Sequence, residues 1–272
     1  MKKPISCIIT TKNEEETVGK LLSSIEEQNN KNFEIILVDN NSTDKTVKIA
    51  KQFGARIFNF GPERSAQRNF GVKKAMGEYV LILDADMKLT KNVLSECIGK
   101  FEKNDDLGAL IIPEKSFGEG FWTKCRAFER EFYIGDSSIE AARCFRKNVF
   151  LNFEGYDETM TGPEDYDLPL RIKKAGGKIG RIKSYILHNE KRFSPIKSAR
   201  KKFYYALHAK SYLKNHPEMV IKQGNLVFRP VFFRKWKKLV SHPVLGIGMF
   251  LIKGTELIGG LSGIIYSVLL NK

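Results

Sequence analysis

Two aspartates, Asp84 and Asp86, stand one residue apart where the apolar run Tyr79-Val-Leu-Ile-Leu83 ends. Such a run reads as a buried strand, and in open α/β sheets ligands gather at the carboxyl ends of the strands. Two carboxylates held there repel each other until a cation relieves them. Oxygen ligands of this kind suit Mg²⁺ or Mn²⁺, usually shared with a diphosphate. A strand that simply ends in a turn also favours Asp, so the pair gains meaning only beside other polar groups.

Several such groups follow strand-like or helix-like runs. Thr11 follows the first apolar run, and Asp39 and Asn41 follow the second. An Asp at a strand end can accept a pyrimidine N–H or a ribose hydroxyl, although Asp39-Asn-Asn41-Ser is also ordinary turn and cap chemistry. Arg68 sits one turn inside a helix, where its guanidinium can give two hydrogen bonds to a nucleotide or its diphosphate; a solvated helix Arg is the plain alternative. Gly162-Pro163 permits a tight turn and a helix start, which puts Glu164 and Asp165 in the first helical turn. The helix dipole lowers carboxyl pKa values there. A carboxylate within reach of a hydroxyl can take its proton, while acids at a helix start also occur with no further role. His188 follows the last strand, and imidazole suits Mn²⁺ better than Mg²⁺.

The elements that must position these residues alternate through the first half. Strands are expected at Pro4–Thr10, Phe33–Val38, Ala55–Phe60, Tyr79–Leu83 and Leu107–Ile112. Helices are expected between them: Glu14–Gln28, one opened by Ser42-Thr-Asp and stopped at Gly54, one from Gly61-Pro62 to Gly77, and Lys91–Asn104 capped by Thr90. This rhythm predicts a Rossmann-like, doubly wound, mostly parallel sheet. After Pro113 the rhythm breaks. A helix over Phe121–Tyr133, a strand over Ala141–Arg146, a helix over Glu164–Ala175, a last strand over Lys178–Leu187 and a basic helix from Ser194-Pro195 to about Asn215 are expected.

The formal charge of +15 calls for an anionic partner, and the bases crowd between Arg171 and Lys238. They can face anionic lipid head groups, bind a pyrophosphate-linked lipid, or form a solvated face. No nucleic-acid recognition motif accompanies the charge, so nucleic acid is not an expected partner. Cys7, Cys97, Cys125 and Cys144 show no paired spacing and read as reduced cytosolic thiols. The first apolar run is too short for a signal peptide.

The tail begins with the basic, aromatic segment Arg229–Lys238, and Phe232, Phe233 and Trp236 favour a membrane interface. The apolar stretch Pro243–Leu270 then has the length of a bilayer span, but Lys253 and Glu256 interrupt it. The favoured reading is two interfacial or re-entrant helices, Val244–Ile252 and Leu257–Leu270. A true span, a soluble core cover and a subunit contact are the alternatives.

Five segments taken in order carry a family resemblance: Ser6-Cys-Ile-Ile-Thr-Thr-Lys-Asn13-Glu14-Glu15, Ile35-Ile-Leu-Val-Asp39-Asn-Asn41-Ser-Thr-Asp44, Arg64-Ser-Ala-Gln-Arg68-Asn69-Phe-Gly71, Leu83-Asp84-Ala-Asp86 and Gly162-Pro-Glu164-Asp165. The chain resembles the family 2 inverting glycosyltransferases over about residues 4–190. Thr10-Thr11-Lys12-Asn13 departs from the family's Pro-Thr-Tyr-Asn in lacking the Tyr.

The resemblance implies a GT-A fold over 1–190, with a nucleotide-sugar half (1–113) and an acceptor and catalytic half (114–190). A basic, apolar, helical membrane-associating extension (191–272) follows. It implies that Thr11, Asn13, Glu14, Asp39, Asn41, Arg68 and Asp84 bind a UDP- or GDP-sugar. Asp86, Asp84 and His188 would hold Mn²⁺ or Mg²⁺. Asp165 would be the base and Glu164 its orienter. The expected reaction moves the sugar to a saccharide or polyprenyl-linked acceptor in cell-surface glycan assembly, at the cytoplasmic face of the membrane, peripheral or re-entrant beside anionic lipid. Polyprenyl-phosphate glycosyl synthase and an inactive nucleotide-binding scaffold are the rivals.

Overall fold

The structure is a computed structural model that describes residues 4–136, 139–160, 163–207 and 229–270. The chain divides into two compact units. One comprises Met1–Glu114, Ala141–Glu158 and Glu164–His188; the other comprises Lys115–Glu140, Thr159–Pro163 and Asn189–Lys272.

The first unit is a seven-stranded sheet clad on both faces. Its strands are β1 (Ile5–Thr11), β2 (Phe33–Asp39), β3 (Arg56–Asn59), β4 (Tyr79–Asp84), β6 (Leu107–Ile111), β8 (Ala142–Arg146) and β9 (Lys178–Arg181), in the order β3-β2-β1-β4-β8-β6-β9. All neighbours are parallel except β8, which runs antiparallel to β4 and β6. The expected doubly wound, mostly parallel sheet is what the chain forms.

Alternation along β1 shows why the sheet needs cover on both sides. Ile5, Cys7 and Ile9 join Leu81 and Leu83 in one core, with Val18, Leu21, Leu22 and Ile25 of α1 (Val18–Glu26) and Val93, Leu94 and Phe101 of α4 (Val93–Glu102). Ile8, Val80 and Ile82 join the opposite core, with Val72 of α3 (Arg64–Lys74), Phe150 of α6 (Lys147–Asn152) and Leu168 and Ile172 of α7 (Glu164–Lys174). Strands buried on both faces read as continuous apolar runs, as these do. All four cysteines are buried and unpaired.

Several local expectations shift. The helix after β2, α2 (Thr46–Gln52), starts after Asp44. Ser42 does not open it, because its backbone N–H and hydroxyl both bind Asp39. The helix after Gly61-Pro62 starts only at Arg64. Thr90 does not cap α4: its hydroxyl donates to the carbonyl of Tyr185 and accepts the Tyr185 N–H. The expected strand Lys178–Leu187 is two strands, β9 and β10 (Ile186–Asn189). The N–H groups of Lys183 and Ser184 both bind Glu96, which turns the chain between them. β10 then pairs antiparallel with β5 (Met87–Leu89), a strand too short to show in the sequence, and sets His188 opposite Met87. Glu114–Phe117 forms the remaining short strand, β7.

The second unit is helical. It contains α5 (Phe121–Tyr133), α8 (Pro195–Leu207), α9 (Pro230–Arg234), α10 (Trp236–Ser241) and α11 (Pro243–Leu270). Residues of the basic helix expected beyond Leu207 lie outside the described residues. Phe128, Phe132, Tyr133, Val231, Phe232 and Met249 form its core. The two short helices expected in the tail are one unbroken helix of 28 residues, α11. Lys253 and Glu256 do not interrupt it because both are neutralised within the unit. Lys253 Nζ lies 2.6 Å from Glu129 and 2.7 Å from Glu256, Arg126 lies 3.2 Å from Glu256, and the Ser198 hydroxyl donates to Glu256 at 2.6 Å.

Candidate active site

Register gathers the polar residues of the first unit at one edge of its sheet. Thr11 is paired with Asp39 across β1 and β2, and Thr10 with Asp84 across β1 and β4. All four sit at the carboxyl ends of strands, where the strand order departs from β1 in opposite directions, through β2 and β3 on one side and β4 on the other. That is the switch point at which open α/β sheets bind ligands.

The loops after β1 and β2 form one hydrogen-bonded group. The Thr11 hydroxyl donates to Asp39 at 2.7 Å, and Asp39 also accepts from the Ser42 hydroxyl and backbone N–H. Asn13, at a positive φ of 54°, accepts from the Thr43 N–H, and its own N–H donates to Ser42. Glu14 donates its N–H to Thr46 and accepts from Thr17. Asn41, at φ 51°, accepts from the Asn59 amide. These bonds hold the loops in place and present a pre-shaped polar loop pair. Gln67 on α3 ties its amide to the carbonyls of Thr11 and Val38, which seats α3 against this edge.

Next to Gln67, Arg68 is the largest fully buried side chain among the described residues. One nitrogen donates to Asp84 at 2.7 Å and another to Asp165 at 2.8 Å, with Glu164 3.6 Å away. Its ring neighbour is Tyr156, 5.3 Å from the guanidinium carbon. The solvated-arginine alternative is therefore excluded. Burial works against the charge of Arg68, but Asp165 and Asp84 outweigh it and push its pKa up.

The start of α7 is fixed by its own ties. Arg171 binds Asp167 and the carbonyls of Phe153 and Gly155, and Asn69 binds both the N–H and the carbonyl of Tyr156. Gly155 takes φ +69°, and a Cβ there would strike Asn69. This loop therefore carries α7's first turn to Arg68. Gly162 lies outside the described residues. Glu164 is 2% exposed, and its pKa is raised by burial first and by the charge of Asp165 second. The lowering expected from the helix dipole does not prevail for Glu164, because burial acts on the whole charge and the dipole supplies only a fraction of one.

Asp84 has a different environment. Burial pushes its pKa up, but Arg68, Arg143 and Arg64 hold it well below the usual carboxylate range. Arg143 was not singled out from the sequence. It is buried on β8, lies 3.4 Å from Asp84, and is bound by Glu114 at 2.6 Å. An Arg inside the apolar strand expected at Ala141–Arg146 was the available signal, since a buried guanidinium requires carboxylates.

Asp86 and His188 face each other, with Asp86 Oδ2 3.3 Å from His188 Nε2. Glu114 lies 3.9 Å from the other ring nitrogen. Asp86 Oδ1 is buried with no hydrogen-bond partner in the structure. Among the described residues no group of three or more His, Cys, Asp or Glu converges as a metal cage. A carboxylate oxygen left unsatisfied beside an imidazole fits a divalent ion that takes its remaining ligands from a diphosphate and water. Asp86 and His188 are the residues that fit; both oxygens of Asp84 face guanidinium groups.

Comparison with known proteins gives consistent results. The family described as Glycosyl transferase family 2 matches residues 6–157. An uncharacterized glycosyltransferase of Methanocaldococcus jannaschii is 28% identical over 86% of this chain and 87% of its own length. The GalNAc(5)-diNAcBac-PP-undecaprenol beta-1,3-glucosyltransferase of Campylobacter jejuni is 28% identical over 59% of this chain and 57% of its own. The chain spans 61% of the length of an uncharacterized glycosyltransferase of Haemophilus influenzae, at 24% identity over 62% of this chain. Among solved structures, the mannosyltransferase PcManGT of Pyrobaculum calidifontis, in complex with GDP-Man and Mn²⁺, superposes with TM-score 0.69. It is 17% identical and covers 98% of this chain and 88% of that one. The first unit and its relatives share the GT-A fold.

Proposed function

The chain belongs to glycosyl transferase family 2, and from that premise we propose that it is a metal-dependent, inverting glycosyltransferase. It moves a sugar from a UDP- or GDP-sugar to a hydroxyl of a saccharide or polyprenyl-linked acceptor. The observation that carries the reading is Arg68, a single buried guanidinium that joins the strand-exit Asp84 to Asp165 at the start of α7. It sets the donor edge and a candidate base within one side chain of each other.

Asp39 and Thr11 receive the base and ribose, with Asn13, Glu14 and Asn41 shaping their loops. Asp84, fixed by Arg68 and Arg143, accepts from ribose. Asp86 and His188 would hold Mn²⁺ or Mg²⁺, which would supply Lewis-acid neutralisation of the leaving diphosphate. The acceptor oxygen attacks the anomeric carbon opposite the diphosphate; that C–O bond forms as the bond to the phosphate oxygen breaks. The nucleoside diphosphate departs with the bonding pair, and the acceptor proton passes to Asp165. Arg68 holds one oxygen of Asp165, Oδ1, and so aims the other at the acceptor. A modest base suffices where the proton leaves late in an oxocarbenium-like transition state. Glu164 orients the acceptor or the base.

Nucleotide sugars are the donors, so we place the protein at the cytoplasmic face of a membrane, where a lipid-linked acceptor such as the one named for the Campylobacter relative would be met. A donor screen by thermal shift, with and without Mn²⁺, identifies the base and sugar, since a bound ligand stabilises the fold by mass action. Transfer to the acceptor then fixes the stereochemistry by proton NMR. Inversion at the anomeric carbon is expected, and retention would refute the single displacement.

A further inference from the structure

The burial of α11 is reversed relative to a helix on a water-facing surface. Its two charged residues point inward: Lys253 is 3% exposed and Glu256 0%. Both belong to the cluster with Glu129, Arg126 and Ser198. The side chains that face outward are apolar: Val244, Ile247, Leu251, Ile258, Leu261 and Ile265 are all exposed, Ile247 at 64% and Ile258 at 67%. Their spacing keeps them along one side of the helix. A contiguous apolar face of this length marks a protein or membrane contact. In α9 and α10, which precede it, Phe233, Arg234, Trp236 and Lys237 are exposed as well.

We infer that α11 lies in the plane of an anionic bilayer surface, its outward face at the boundary between head groups and acyl chains, and does not cross the bilayer. This rests on the membrane location proposed above but not on the transfer chemistry. Length and composition alone would let Pro243–Ser267 span. Packing argues against it. A Cβ at Gly248 would strike Cys125 on α5, and one at Gly259 or Gly263 would strike the α8 backbone at Ala199 or Phe203. α11 is therefore seated on α5 and α8 along most of its length. α8 exposes Lys197, Arg200 and Lys201. A span would carry these cations toward the hydrocarbon, at about 2.5–3.5 kcal/mol each on insertion scales. An in-plane helix leaves them in water or among lipid head groups. The bases and aromatic rings of α9 and α10 complement an anionic interface, where amphipathic rings settle. A second copy of the chain would bring the same positive charges together, and so fits the face less well.

The test uses the full chain and vesicles of phosphatidylcholine with and without phosphatidylglycerol. Single cysteines are placed at Val244, Leu251, Ile258 and Ile265 and labelled with a depth-sensitive probe; the native cysteines are buried. Wild type should float with the anionic vesicles, and all four labels should report one shallow depth. The triple variant Ile247→Glu, Ile258→Glu, Leu261→Glu should lose flotation at least tenfold, with unchanged melting midpoint and donor binding. Labels graded through the bilayer centre would overturn the in-plane arrangement and leave the membrane location standing. A wild-type protein that fails to float would overturn both. A dimer in solution abolished by the triple variant, without flotation of wild type, would assign the face to a second copy. Nucleoside diphosphate release assayed in detergent, in parallel, shows separately whether the transfer reading holds.

Discussion

Replacing Arg68 with Met removes the guanidinium between Asp84 and Asp165 and keeps an apolar stem of similar length. Breaking a buried ion pair from one side costs about 3–5 kcal/mol, because the partner charge is left uncompensated. Here the two carboxylate side chains keep 18% and 21% exposure, and Asp84 retains Arg143 at 3.4 Å. Partial solvation puts the cost at the lower end, about 3 kcal/mol. At roughly 2–4 °C per kcal/mol for a chain near this size, the melting midpoint should fall by about 6–12 °C at neutral pH. The acid limb supplies a second signature. Burial would raise the pKa of Asp84, and Arg68, the largest opposing influence, helps hold it well below the normal range. A depressed carboxyl contributes stability that is present above its unfolded pKa, about 3.9, and lost as pH falls through the folded value. Wild type should therefore lose stability below about pH 4, and Arg68→Met should show a shallower loss there. Arg68→Lys keeps the charge but cannot fork to both acids, and should fall between the two. The assay is the melting midpoint against pH for the three proteins. A variant with the wild-type midpoint at neutral pH and the wild-type acid slope would refute the buried bridge.

The catalytic acids make two further predictions. Asp165→Asn should lower kcat by about 10²–10⁴ with donor affinity nearly unchanged in calorimetry; lost donor binding at unchanged kcat would move Asp165 to the donor side. The pKa of Glu164 is raised by burial and then by Asp165, so it destabilises the folded state once ionised. Its contribution is fully favourable below the unfolded value, about 4.3, and is lost as pH rises through the folded value. Glu164→Gln should therefore melt higher than wild type at neutral pH and equal it below about pH 4; a lower midpoint at neutral pH would contradict the assignment.

Much of the donor edge was legible because each clue was local. β1, β2 and β4 are continuous apolar runs, and Thr11, Asp39 and Asp84 follow them directly. Phe121–Tyr133 is the helix that its period predicted. What the sequence concealed depended on distant partners. Ser42 looked like a helix cap until Asp39 claimed it. Lys178–Leu187 looked like one strand because the residues that bend it, Glu96 and Thr90, are far away in sequence. Lys253 and Glu256 looked like interruptions because their neutralising partners, Glu129, Arg126 and Ser198, lie on other helices. Arg143, itself bound by Glu114, meets Asp84 through the antiparallel placement of β8, which a parallel rhythm does not foretell.

The most direct measurement of the central claim is nucleoside diphosphate release against Mn²⁺ concentration, for wild type and Asp86→Asn side by side. Asp86 carries the buried oxygen without a partner beside His188, so the substitution removes a charged ligand and spares the core. Wild type should release nucleoside diphosphate from one UDP- or GDP-sugar only with the divalent ion present. Asp86→Asn should lose that release while melting at the wild-type temperature. Release that persists in excess chelator, or a fully active Asp86→Asn, would contradict the account.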